Sequence, residues 1–131
     1  MSAMGPAKIL AVDDEADFEV LLRQRFRHQI RAGEFDFRFA YHGEEALTKL
    51  ADEPDIELLL LDINMPGMDG LALLREIKER WGDLPVMMVT AYGDDERRRR
   101  ADEYGAAEFI TKPVDFDLLK EQLRQLPSNA A

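Results

Sequence analysis

Cysteine, clustered histidine and long apolar runs are absent from this chain. Without cysteine in its 131 residues, the protein has no disulfides, thiolate metal sites or cysteine nucleophiles. The two histidines, His28 and His42, have no second histidine at metal-ligand spacing, so we interpret both as surface residues. No apolar stretch approaches the roughly 18 residues that a membrane helix needs, and the first residues do not resemble a secretion signal. We therefore expect a cytoplasmic protein that makes no membrane contact.

Acidic residues outnumber basic ones by 27 to 17, and the formal net charge is −10. This balance argues against direct nucleic-acid binding, which needs a basic surface, and leaves room for a divalent cation. The length suits one domain with its own hydrophobic core. We predict a flexible N-terminal segment over residues 1–7, a domain over 8–126, and a short tail or the start of a linker over 127–131.

Apolar runs of strand length alternate with segments of helical periodicity along the chain. The predicted strands cover Lys8–Asp14, Phe35–His42, Ile56–Leu61, Leu84–Thr90 and Ala106–Thr111. The predicted helices cover Phe18 to about Ile30, Gly43 to Pro54, Gly70–Trp81, Asp94–Tyr104 and Asp115–Leu126. Strict alternation in FDFRFAYH indicates an edge strand with one dry face, whereas the other strands are apolar on both faces. This order predicts an α/β, doubly wound fold with a single five-stranded parallel sheet.

Unusual polar residues stand where the predicted strands end. They are Asp13 and Asp14 after the first strand, Asp62 after the third, Thr90 and Ala91 at the fourth, and Lys112 followed by Pro113 after the fifth. Sites in open parallel sheets form beyond these carboxyl ends. We therefore expect three carboxylates, a hydroxyl and an amine to meet at one edge of the sheet.

The chemistry of such a cluster is restricted. Carboxylates packed together repel one another unless one is protonated or a hard cation accepts their oxygens, and magnesium is satisfied by few protein ligands plus water. A carboxylate beside the metal can attack phosphorus and form an aspartyl phosphate. Lys112 would then neutralise charge on the phosphoryl oxygens, and Thr90 would hydrogen-bond one of them. We predict that Asp62 is phosphorylated.

At these positions the chain resembles the receiver domains of two-component response regulators. The resemblance is carried by the double acid after ILAV, the block LLLLDINMPGMDG, MMVTA and FITKP, and it extends from Lys8 to about Leu126. It implies a flavodoxin-like fold with the strand order 2-1-3-4-5. It also implies that a histidine kinase or a histidine phosphotransfer protein donates a phosphoryl group to Asp62. It also implies a Mg²⁺ ion, replaceable by Mn²⁺, that is bound by Asp14, Asp62 and the backbone carbonyl of Asn64, with Asp13 nearby or acting through water.

The resemblance further implies a switch. Lys112 would contact the phosphoryl group, and its bond to Pro113 would be cis. Thr90 would move toward the phosphoryl group and Phe109 would swing inward behind it, while Ala91 and Tyr92 would control access to the phosphoryl group. The face formed by the fourth helix, fifth strand and fifth helix would then signal to an output domain or effector, or form a homodimer. Such a domain is not an enzyme beyond its own phosphoryl transfer and dephosphorylation.

Several other polar residues have simpler interpretations. We interpret Pro66 and Gly67 as turn residues and Asp69 as a helix N-cap. The run Arg97 to Arg100 follows three acids at a spacing of four, which predicts ion pairs on a solvated helix face and not a nucleic-acid patch.

Alternative functions remain open. A Mg²⁺-dependent phosphohydrolase of the haloacid-dehalogenase type would use the same aspartyl phosphate, but it carries D-x-D after the first strand, and this chain has D-D-E. A flavin-binding module would need a phosphate-binding loop where DDEADFE stands. A receiver-like scaffold that no longer accepts phosphate is a third alternative.

Overall fold

The computed structural model describes residues 6–65, 68–91 and 93–125. The strands are β1 (Ala7–Val12), β2 (Phe35–Ala40), β3 (Leu58–Asp62), β4 (Asn64–Met65), β5 (Met68–Asp69), β6 (Val86–Thr90) and β7 (Glu108–Thr111). The helices are α1 (Ala16–Arg25), α2 (Arg27–Arg31), α3 (Gly43–Asp52), α4 (Gly70–Arg80), α5 (Asp95–Glu103) and α6 (Phe116–Gln125). No described helix is long and apolar enough to cross a membrane.

Five of the strands form one parallel sheet in the order β2-β1-β3-β6-β7. This is the predicted order 2-1-3-4-5, because β4 and β5 are two-residue strands that pair only with each other. The antiparallel β4–β5 pair was not predicted; it lies in the connection between β3 and α4. The doubly wound α/β fold is confirmed.

The sheet buries apolar side chains on both faces. In β3, Leu59 and Leu61 belong to the core beneath α3 and α4, whereas Leu58 and Leu60 face the core beneath α1 and α6. All four are buried. Because neighbouring residues of a strand point to opposite faces, an unbroken apolar run is the pattern that a doubly covered strand requires.

The first predicted helix is divided in two. Phe26 has non-helical backbone angles between α1 and α2, and its ring packs at centroid distances of 5.8 and 5.6 Å from Phe35 and Phe37. Leu21, an apolar residue of this segment, is 44% exposed. After α2 the chain turns at Gly33, where φ is +81°, a conformation that favours glycine.

The predicted single dry face of the second strand is wrong in detail. Strand β2 does lie at the edge of the sheet, and Phe35 and Phe37 are buried on one face. On its opposite face Ala40 is buried as well, in the core beneath α3 and α4, whereas Asp36 and Arg38 are half-buried. Tyr41 lies beyond the end of the strand and is 40% exposed.

Candidate functional site

Three carboxylates meet at the carboxyl ends of β1 and β3. These strands are neighbours in the sheet, so Asp13 and Asp14 follow Val12 beside Asp62. One carboxylate oxygen from each of the three acids lies within 4.8 Å of the other two. Asp13 and Asp62 are buried, and Asp14 is exposed. The predicted convergence of these acids is therefore present in the structure.

Backbone amides orient two of the carboxylates. The Glu15 N–H donates to Asp13 Oδ1 at 2.9 Å, and the Asn64 N–H donates to Asp62 Oδ1 at 3.0 Å. Burial, assisted by the neighbouring Asp62 charge, raises the pKa of Asp13 from 3.8 to about 6, although the hydrogen bond from the Glu15 N–H acts to lower it. A site that disfavours its own negative charge and presents hard oxygen donors fits a divalent cation such as Mg²⁺.

Lys112 reaches the same pocket from the fifth strand of the sheet. Its Nζ donates to Asp62 Oδ2 at 2.9 Å and lies 3.7 Å from Glu15 Oε1, although β6 separates β7 from β3. Burial alone would lower the pKa of Lys112, but the hydrogen bond to Asp62 and the nearby acids raise it above its ordinary value. The Lys112–Pro113 peptide bond is cis, the isomer that the resemblance implies.

Thr90 and Ala91 lie at the end of β6. Thr90 is buried, and its hydroxyl donates weakly to the Ile110 carbonyl at 3.5 Å. Ala91 is half-buried, and both residues line a surface cavity of about 340 Å³. Within the described residues, the Thr90 hydroxyl thus makes a single long hydrogen bond, and Thr90 borders open space.

Phe109 occupies the middle of β7, at the edge of the sheet. It is half-buried, and the Arg98 guanidinium lies 4.8 Å from the centre of its ring. Its carbonyl accepts a hydrogen bond from Gln122 Nε2 of α6 at 3.1 Å. Phe109 thus contacts both helices that flank β7 on the predicted signalling face.

The connection after Asp62 turns sharply back against β3. A Cβ at Gly70 would lie 2.7 Å from the Ile63 carbonyl oxygen and 2.9 Å from that of Asp62, so glycine is required there. Asp69 is the N-cap of α4, as predicted, because its Oδ1 accepts the Leu71 N–H at 2.9 Å. Of the predicted turn and access residues, Pro66, Gly67 and Tyr92 lie outside the described residues.

The prediction for the arginine run of α5 needs correction. The expected pairs at a spacing of four, Asp94–Arg98, Asp95–Arg99 and Glu96–Arg100, are not among the ion pairs of the described residues. Arg99 pairs instead with Glu96 and Glu103 on the exposed face. Arg97 points toward the site, where it donates to the Ile63 carbonyl at 2.9 Å and to Asn64 Oδ1. Arg97 and Arg99 are thus equivalent in sequence but differ in their tertiary contacts.

Comparison with known proteins identifies the family. The model of the response regulator receiver domain matches residues 9–124. The chain belongs to this family of receiver domains. The receiver domain of NtrX from Brucella abortus is 35% identical, with a TM-score of 0.80 over 89% of this chain and 95% of that one. A response regulator receiver protein from Pseudomonas putida is 27% identical, with a TM-score of 0.84 over 94% of this chain and 99% of that one.

The chain is also similar to part of longer regulators. The transcriptional regulatory protein ZraR of Salmonella typhimurium is 33% identical over 92% of this chain. That match covers 26% of ZraR, so the chain spans about a quarter of such relatives. The receiver domain described here is a signalling module of a two-component response regulator.

Some residues at the receiver site were not predicted. Glu15 lies near Lys112, and Asp94 and Arg97 contact Asn64 through its side chain. The D-D-E sequence gives a weak signal for Glu15, since it adjoins the two site acids. Nothing in the arginine run distinguishes Arg97 from its neighbours.

Proposed function

We propose that this receiver domain accepts a phosphoryl group on Asp62 from a histidine kinase or a histidine phosphotransfer protein. The observation that carries the proposal is the meeting of the Asp13, Asp14 and Asp62 carboxylates within 4.8 Å, with the Lys112 ammonium on Asp62. In the transfer, a carboxylate oxygen of Asp62 forms a bond to phosphorus as the phosphorus–nitrogen bond of the phosphohistidine breaks. The electron pair of that bond remains on the donor's imidazole.

The acids and Lys112 have complementary roles in this proposal. Asp14, Asp62 and the Asn64 carbonyl would hold Mg²⁺, or Mn²⁺ in its place, with Asp13 in contact directly or through water. The bound ion would offset negative charge on the carboxylates and the phosphoryl oxygens. Lys112 would stay near Asp62 and neutralise a phosphoryl oxygen as charge develops. The domain would catalyse its own phosphoryl transfer and dephosphorylation, and no other reaction.

The signalling step would pass from Thr90 to the face formed by α5, β7 and α6. The Thr90 hydroxyl would give up its 3.5 Å hydrogen bond to the Ile110 carbonyl and donate instead to a phosphoryl oxygen. Phe109 would move inward. Ala91 would leave the phosphoryl group accessible, and Tyr92 would influence its lifetime. The altered face would bind an output domain, an effector or a second copy of the chain. Sedimentation before and after phosphorylation tests the homodimer, which is abandoned if the mass is unchanged.

The proposal includes no direct contact of this domain with nucleic acid, because its net charge is −10. The transcriptional role in the name of ZraR belongs to a protein about four times as long. We assign the phosphoryl exchange to the cytoplasm, as predicted from the sequence.

Phosphorylation of the purified chain tests the proposal. Incubation with Mg²⁺ and a small acyl phosphate should add one phosphoryl group, detected as intact mass and removed by hydroxylamine. Asp62→Asn should add none, and omission of Mg²⁺ should abolish the reaction in the wild type. If the wild type gains no phosphate, or the Asn variant gains as much, the scaffold function replaces this one. Sustained release of phosphate from added phosphoesters would favour the phosphohydrolase.

A further inference from the structure

Arg97 ties helix α5 to the segment that follows Asp62. One guanidinium nitrogen donates to the Ile63 carbonyl at 2.9 Å and another donates to Asn64 Oδ1. Asn64 Nδ2 in turn donates to Asp94 Oδ2 at 2.7 Å, beside the first turn of α5. The Asn64 side-chain oxygen thus faces a donor and its nitrogen faces an acceptor, so both contacts agree with the same orientation of the amide group.

The contacts of Arg97 extend over both ends of the β3–α4 connection. Ile63 is fully buried, so its carbonyl needs a protein partner, and Arg97 supplies one. At the other end, the guanidinium lies 3.8 Å from the Asp69 carboxylate that caps α4. This planar group presents its donors to these acceptors in fixed directions, whereas a lysine ammonium is a single point of charge on a flexible side chain.

The same segment contains a proposed metal ligand. The Asn64 carbonyl can face the carboxylates of Asp13, Asp14 and Asp62 only while the backbone at 63–64 keeps its direction. The Asn64 N–H bond to Asp62 Oδ1 fixes one side of this backbone, and Arg97 fixes the side that faces α5. We propose that Arg97 is a positioning residue that holds residues 63–64 in the shape that binds Mg²⁺. This inference rests on the proposed function.

The contact also has a consequence for α5. The only buried residue of this helix is Ala101, so polar contacts at its first turn contribute much of its attachment near the site. If Arg97 favours the binding shape of residues 63–64, then a cation bound there must favour the Arg97 contact to the same extent. Mg²⁺ should therefore stabilise the first turn of α5 before any phosphorylation.

Calorimetric titration of the unphosphorylated chain with Mg²⁺ alone tests the positioning role. We expect R97A and R97K each to weaken Mg²⁺ binding about tenfold, the lower end of the loss found when groups that orient metal ligands are removed. R99A is the matched control, since Arg99 lies in the same helix but pairs on its exposed face, and it should bind Mg²⁺ like the wild type. Circular dichroism and urea unfolding verify that each variant is folded.

The two Arg97 variants separate geometry from charge. Removal of a positive charge beside an acidic pocket would by itself strengthen Mg²⁺ binding in R97A and leave R97K unchanged. That pattern, or wild-type affinity in both variants, overturns the positioning role. A wild type that binds no Mg²⁺ overturns the metal site of the proposed function, and the inference with it; weak binding in the Arg97 variants alone leaves the proposed function intact.

Amide hydrogen exchange provides a second readout. Saturating Mg²⁺ should slow exchange at residues 95–99 of the wild type and of R99A. In R97A, at a Mg²⁺ concentration that also saturates the variant, the slowing of amide exchange should be confined to the carboxyl ends of β1 and β3. Equal slowing of 95–99 in R97A and the wild type would show that α5 is not linked to the cation through Arg97, and would overturn the inference.

Discussion

Helices α4 and α5 both follow a buried strand, yet they are attached in different ways. Helix α4 buries Gly70, Leu71, Leu73, Leu74 and Ile77, whereas α5 buries only Ala101. The first is held by removal of apolar surface from water, which is insensitive to charge at the site. The second is held near the site by the polar contacts of Asp94 and Arg97. A change of charge at Asp62 can therefore act on α5 while α4 stays in place.

The strongest test of this difference is truncation in the core of α4. Leu74 is fully buried, so L74A should lower the free energy of unfolding by about 2–5 kcal/mol. In α5, R99A removes only exposed ion pairs and should change that free energy by less than about 0.5 kcal/mol. Urea denaturation of both variants measures the contrast. A loss in R99A as large as that in L74A would mean that exposed ion pairs stabilise the fold as much as apolar burial does.

A substitution of the first residue of α4 tests whether the close packing of that helix against the backbone of residues 62–63 is needed at the site. Gly70→Ala would bring the Cβ within 2.7 Å of the Ile63 carbonyl oxygen and 2.9 Å of that of Asp62. The backbone must shift, and we expect a loss of about 1–3 kcal/mol of stability. Phosphorylation of Asp62 should also slow, measured with the acyl phosphate. Ala72→Gly, on the same helix, is the control: it should cost some stability but leave the phosphorylation rate unchanged.

Removal of an acid from the pocket should stabilise the metal-free protein. The folded protein holds the Asp13 proton up to a pKa of about 6, whereas the ordinary value is 3.8. Between these values the folded state binds more protons than the unfolded chain, so this acid lowers the free energy of unfolding as pH rises. D13N should therefore be more stable than the wild type at pH 7, by about 1–3 kcal/mol.

The control for D13N is pH. Its advantage over the wild type should shrink as pH falls through about 6, because the wild-type carboxyl then becomes neutral as well. Thermal or urea unfolding without divalent cations measures both proteins at each pH. An advantage that is constant from pH 4 to pH 7 would contradict the raised pKa.

The smallest expected effect concerns the contact between α5 and β7. The Arg98 guanidinium lies 4.8 Å from the centre of the Phe109 ring, and such contacts contribute about 0.5–1 kcal/mol at exposed positions. R98A should therefore lower the free energy of unfolding by at most about 1 kcal/mol, while the Phe109 ring becomes more mobile, measured by NMR of the ring. R98K, which keeps the charge, should lie between R98A and the wild type. An unchanged ring spectrum in R98A would mean that Arg98 does not hold Phe109.

Much of the fold could be predicted because its signals are local. Apolar runs such as Leu58 to Leu61 have strand length, and a doubly covered sheet is their simplest explanation. The division of the first helix at Phe26 could not be predicted in this way. Its apolar spacing continues from Leu22 to Ile30, and the break accompanies ring contacts with Phe35 and Phe37 of β2.

The residues of the site also include some that could be predicted from the sequence and one that could not. Asp13, Asp14, Asp62 and Lys112 could be predicted because each stands at or just after the end of a strand, and parallel strands end at one edge of the sheet. Arg97 could not, because it stands 33 positions from Asn64 within a run of four arginines. Only the placement of α5 beside the β3–α4 connection decides which of these arginines reaches the site.

The sequence by itself determined the alternation of elements, the family and the strand ends at which charged groups stand, because periodicity and order along the chain carry that information. The tertiary structure alone decided that Asp13 is buried enough for a raised pKa, that Gly70 touches the backbone of Asp62, and that Arg97 turns toward the site. Each of these depends on the distance between segments remote in sequence, and hydrogen bonding, burial and electrostatic interaction all act through that distance.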